Sequence, residues 1–130
     1  MPELNWLAIA AAALAVFVVS TVYYIVFAAR MVELRQGNED AGGVQPWKIG
    51  VELVRSLVLA TVIAGLARLL DITDLGGALQ LGLALWVGFP VILLVGSVIW
   101  ENVAPALATI HAGDWLLKLL IVATIVSLWT

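Results

Sequence analysis

The chain predicts an all-α integral membrane protein, with four transmembrane helices packed in one antiparallel bundle. Of its 130 residues, 64% are hydrophobic and 12% charged, whereas charged residues make up about 25% of a soluble domain. The apolar residues gather into four runs, most of them meeting the ~20 residues needed to cross a ~30 Å hydrocarbon layer. The six Lys and Arg residues divide unequally between the two sides that those runs define. Four crossings nearly consume the chain, so residues 1–130 read as a single transmembrane domain with spans at about 4–29, 47–70, 75–100 and 114–129.

The first run, residues 4–29, carries no charge. It follows Met1-Pro2-Glu3, which lacks the basic region of a secretory signal, and it exceeds a signal core of about 7–15 residues. It therefore reads as a retained span. The second run, residues 47–70, contains Lys48, Glu52, Arg55 and Arg68 around an uncharged centre at 57–67, a span with polar ends. The third, residues 75–100, is uncharged but holds Pro90 after Gly88. Proline removes a backbone donor and clashes with the preceding turn, so the third helix is expected to kink near Pro90. The fourth run is the shortest, with Asp114 as its cap and Trp129 at its far interface.

Residues 31–46 contain Arg35, Gly37, Asn38, Glu39, Asp40, Gly42, Gly43 and Pro46, the chemistry of a loop, with Pro46 suited to the first turn of the next helix. Asp71-Ile72-Thr73-Asp74 is short enough to force a tight hairpin, making spans two and three antiparallel neighbours, with Thr73 or Asp74 capping the latter. Before span four, Pro105 is expected to open a short interfacial helix that ends near His111, where Gly113 breaks it.

Counting bases by side sets Arg30, Arg35, Lys48, Arg55 and Lys118 against Arg68. The positive-inside bias then makes connections 31–46 and 101–113 cytoplasmic and puts both termini outside the plasma membrane. Cysteine is absent, which removes disulfides, thiolate nucleophiles and thiolate metal sites. A formal charge of -3 with scattered acids leaves no nucleic-acid footprint.

Asn5-Trp6-Leu7-Ala8 opens the first span, while Trp100-Glu101-Asn102 and His111-Ala112-Gly113-Asp114-Trp115-Leu116-Leu117-Lys118-Leu119 lead into the last. These motifs resemble a family of small bacterial four-span membrane proteins catalogued as a domain of unknown function. The resemblance implies the four-span fold over nearly the full length and transfers no site.

Chemistry must then be sought in ionisable groups near membrane depth, which are functional candidates by default. Glu52 and Arg55 are three apart and share a helix face; Asp114 and Lys118 are four apart in the stabilising acid-before-base order. With Glu101 and His111 they make a candidate polar cluster at one level: Glu52, Arg55, Glu101, His111, Asp114 and Lys118. Each also has a structural account, as an interfacial ion pair, a snorkelling arginine or a loop histidine. A single imidazole makes a poor metal site, although its ordinary pKa of about 6.5 suits a pH switch. No phosphate loop, Ser/His/Asp set or dinucleotide fingerprint appears. The chain therefore offers no catalytic, cofactor-binding or metal-ligating residue.

Small residues spaced four apart let helices approach closely: Ala8/Ala12, Ala11/Ala15, Ala60/Ala64, Thr61/Gly65, Ala78/Gly82 and Ala84/Gly88. One bundle needs fewer such faces, so self-association is expected. The function expected is that of a non-enzymatic structural or accessory membrane protein. Its partners would be the lipid bilayer and further copies of itself, without nucleic acid; any other membrane-protein partner is left open. The alternative is an oligomeric ion or proton channel, or a small-solute transporter, using the polar cluster with Gly88 and Pro90 allowing movement.

Overall fold

A computed structural model describes residues 4–35 and 46–129. Among the described residues the chain is helical, with no strand: α1 (Trp6–Val26), α2 (Ala28–Arg35), α3 (Pro46–Leu69), α4 (Leu75–Gly88), α5 (Pro90–Trp100) and α6 (Pro105–Leu128). Four stretches are long and apolar enough to cross a membrane, namely α1, α3, α4 with α5, and α6. At a rise of ~1.5 Å per residue, the 21 residues of α1 match the hydrocarbon thickness.

Local chemistry sets the ends. Asn5 caps α1, its side chain accepting from the Ala8 N–H at 3.1 Å, and its amide nitrogen donates to the Trp129 carbonyl at 3.2 Å. That second bond ties the start of α1 to the end of α6, so the described ends lie together. Between α3 and α4, Asp71 adopts φ 55°. Ile72 N–H reaches back to the Ala67 carbonyl at 2.9 Å and Asp71 N–H to that of Arg68 at 3.2 Å. This is a Schellman termination with aspartate in the left-handed position usually held by glycine. Asp74 occupies the N-cap position of α4 but makes no side-chain capping bond.

The expected kink is present. Phe89, with φ -125° and ψ -75°, separates α4 from α5, and Pro90 stands at the first turn of α5, where its missing N–H is tolerated. Asn102, also left-handed at φ 58°, reverses the chain after α5. Arg35 and the four residues before it belong to α2, not to a loop; the glycine-rich remainder of connection 31–46 lies outside the described residues.

The last span differs from expectation. The helix is continuous from Pro105 to Leu128, so Gly113 interrupts nothing and Asp114 caps nothing. Glycine weakens a helix by only about 1 kcal/mol relative to alanine, and here bareness is required: a Cβ at Gly113 would collide with the Tyr23 hydroxyl. The connection before α6 shrinks accordingly: His111 moves from the interfacial connection into the spanning helix, and Asp114 and Lys118, expected in the first turns of the last span, stand well inside it.

Helix α6 is the axis of the bundle, packing on α1, α3, α4 and α5, while α1 and α3 also pack on each other. The core is made of Ile9, Ala12, Ala13 and Val16 of α1, Ala60, Ile63, Ala64 and Ala67 of α3, Ala78 of α4, and Leu119, Val122, Ala123 and Val126 of α6. Although one tight turn joins them, α3 and α4 share no extensive face. Each docks on α6 instead, because Gly82 lets α4 approach that backbone: a Cβ there would lie 3.3 Å from the Leu119 carbonyl oxygen.

Candidate functional site: a buried ion pair beneath a polar cleft

Asp114 and Lys118 lie one turn apart on α6. Their side chains are almost wholly enclosed, 2% and 11% exposed, with Lys118 Nζ 3.0 Å from Asp114 Oδ2. Asp114 stands nine residues and Lys118 thirteen residues beyond Pro105 in a helix of 24, or about 13 and 20 Å into the span. A charge at the centre of a spanning helix is disfavoured by about 2.5–3.5 kcal/mol on insertion scales. The pair is retained by mutual neutralisation and added contacts. Ser20 Oγ donates to Asp114 Oδ1 at 2.7 Å, and the Lys118 ammonium sits 4.8 Å from the centre of the Trp115 ring, a cation–π contact.

A second layer of polar contacts stands beside it. Tyr24 and His111 are joined through the hydroxyl and Nδ1 at 2.8 Å. Tyr23 donates its hydroxyl to the Ile110 carbonyl at 2.5 Å, and Trp86 Nε1 donates to that of Ala112 at 2.8 Å. Ser20, Tyr23 and Tyr24 recur at helical spacing on the α1 face opposite His111, Asp114 and Lys118. Two helix faces therefore mesh through polar groups in an otherwise apolar bundle.

Glu52 and Arg55, on α3, form an ion pair three residues apart that stays partly exposed. They line an open cleft of about 810 Å³ together with Lys48, Ser56, Ser20, Tyr24, His111, Asp114 and Lys118. The cleft reaches from the Glu52–Arg55 pair to the buried pair on α6. Of the six residues predicted as one cluster, five meet here. Glu101 does not: it follows α5 as its exposed C-cap and is absent from the cleft lining.

The predicted cluster does not include Ser20, Tyr23 or Tyr24, which the structure brings to it. The Ser-x-x-Tyr-Tyr spacing at one end of an uncharged run is the signal that could have joined them. Trp115 gave no such signal, because its role depends on Lys118 being buried. Among the described residues, no group of three His, Cys, Asp or Glu side chains is placed to hold a metal ion.

Fold and site together define a small multi-pass membrane protein of four spans with an ion pair buried inside the bundle. The chain belongs to the family described as Protein of unknown function (DUF1761), whose profile matches residues 7–127. No curated protein and no solved structure matches it.

Proposed function

We propose that this chain is a non-enzymatic membrane protein that passes a proton or small ion, with Asp114–Lys118 as the gate at the floor of the polar cleft. One observation carries the reading: a charged pair near mid-span is reached by an open cleft of about 810 Å³ that extends past Arg55. A buried ion pair contributes little net stability compared with well-packed apolar residues. An intramembrane pair at the end of a polar access route is better accounted for by ion handling. Protonation of Asp114 or entry of an anion beside Lys118 would break the pair, and the break at Phe89–Pro90 lies on an arm that packs on α6. The test is flux in proteoliposomes. Wild-type protein is expected to dissipate an imposed pH gradient faster than empty vesicles, and Asp114→Asn to reduce that rate sharply; equal rates in wild-type and empty vesicles would remove the reading.

A second reading, self-association in a structural or accessory role, is supported by a different observation. Thr61/Gly65 and Ala84/Gly88 are not used up inside the bundle: a Cβ at Gly65 or Gly88 would meet nothing within 4 Å, and Ala84 and Gly88 are exposed. These faces suit the close approach of a second copy. Crosslinking in lipid nanodiscs loaded with more than one copy is expected to trap dimers in the wild type and fewer in Gly88→Leu. A monomer under every loading would exclude it.

The favoured setting is the plasma membrane, both termini outside. With Lys118 inside the span, the basic residues divide as Arg30, Arg35, Lys48 and Arg55 against Arg68, and the same orientation follows.

A further inference from the structure

A second, apolar cleft of about 410 Å³ abuts the polar one, and Glu52, Arg55, Ser56, Trp115 and Lys118 line both. These side chains are the partition between a charged recess and a greasy slot. Val54, Val58, Leu59 and Val62 complete the slot. The three valines recur every four residues along α3 and are 59%, 58% and 56% exposed. On a membrane-crossing helix such a face looks out on acyl chains, so the slot opens sideways into the bilayer. Each cleft falls within the ~300–1,000 Å³ typical of small-molecule sites.

The polar side has unused cationic capacity. A guanidinium carries five N–H donors, and Arg55 commits Nη1 to Glu52. Lys48 also lines the recess, so Lys48, Arg55 and Lys118 face the carboxylates of Glu52 and Asp114, leaving one positive charge in excess. Lys48 lies seven residues nearer the end of α3 than Arg55, about 10 Å closer to the membrane surface. An arginine stem can extend its head toward that level. A phosphate held between the two would lie at headgroup depth, where a guanidinium's fork geometry favours a phosphodiester.

We propose that this partition is a binding site for an anionic phospholipid of the surrounding bilayer, its phosphate between Lys48 and Arg55 and one acyl chain in the valine-lined slot. The site adjoins the ion gate through Trp115 and Lys118, but the side chains assigned to the phosphate and the acyl chain, Lys48, Arg55 and the three valines, lie on α3, and Asp114 is not among them.

Native mass spectrometry of the protein released from nanodiscs of mixed phosphatidylglycerol and phosphatidylcholine tests it. Wild type is expected to retain phosphatidylglycerol several-fold over phosphatidylcholine. Arg55→Gln should erase the preference, Val58→Phe should reduce the adduct while Arg55 is intact, and Arg68→Gln, at the other end of α3, should change nothing. Equal retention of the two lipids by wild type, or a preference that survives both Arg55→Gln and Val58→Phe, overturns the proposal. Glycerol 3-phosphate, the head without its tail, is expected to leave thermal stability unchanged; stabilisation equal to that by phosphatidylglycerol would make this a free-anion site and overturn the lipid assignment. Flux measured on the same wild-type preparation separates the two readings: absent wild-type flux with lipid preference intact counts only against ion passage, and lost lipid preference with flux intact counts only against the lipid site.

Discussion

Lys118 brings three N–H donors into the bundle, and its nitrogen finds one carboxylate oxygen at 3.0 Å and one indole face. Truncating Asp114 to alanine would strand that ammonium in a low-dielectric interior, a loss on the order of 3–5 kcal/mol for a broken buried pair. Thermal unfolding in detergent is expected to show Asp114→Ala strongly destabilised, with the double replacement Asp114→Leu and Lys118→Met recovering most of the loss, since an apolar pair of similar volume can replace a buried ion pair. A double variant no more stable than Asp114→Ala would mean that Ser20 and Trp115, not mutual neutralisation, hold the site. Gly113 is the adjoining constraint. Adding a methyl there displaces the Tyr23 hydroxyl from the Ile110 carbonyl, and overpacking of this kind costs about 1–3 kcal/mol. Gly113→Ala should therefore lower the melting temperature, and adding Tyr23→Phe, which removes the colliding oxygen, should restore part of it.

Among the helices, the glycines of α3 and α4 separate packing seams from open faces. Gly82→Ala would press a methyl to 2.9 Å from a Leu120 methyl and 3.3 Å from backbone atoms of α6. The backbone cannot yield as a side chain can, and destabilisation of about 1–3 kcal/mol is expected. Gly65→Ala meets open space and should stabilise α3 by up to about 1 kcal/mol through helix propensity. Chemical denaturation of the two variants side by side checks the contrast. The limits of legibility also show at this scale. The kink at Pro90 and the turn at Asp71–Asp74 could be read because proline and short polar connections act locally. The course of α6 could not: Gly113 and Asp114 carry the local chemistry of a break and a cap, and only the tertiary presence of Tyr23, Ser20 and Trp86 makes them interior residues. That misreading moved the ion pair from the interface to mid-span, the largest change in the site's meaning.

For the whole molecule, four spans were legible because hydrocarbon thickness fixes helix length, whereas the neighbour relations were not. Chain order suggested that α3 and α4 pack together, but α3 docks on α1 and α6, and Gly82 carries α4 onto α6. Orientation is decided at this scale too, and it can be tested without disturbing the core. The Asn5–Trp129 bond puts the described ends together, and α3 carries the chain across, so the Asp71 turn shares their side while Glu33 of α2 lies on the opposite one. Arg30, Arg35, Lys48 and Arg55 stand toward the Glu33 side against Arg68 toward the other, a bias that retains the richer side in the cytoplasm. Because the chain has no cysteine, single thiols report without background. Thr73→Cys, in the same turn, is expected to react with a membrane-impermeant maleimide in intact cells, and Glu33→Cys only after permeabilisation; both positions are exposed and neither holds a left-handed backbone, so neither should affect folding. The reversed pattern would invert the molecule, opening the polar cleft outward, and labelling of both sites in intact cells would mean a mixed orientation that four bases against one fail to resolve.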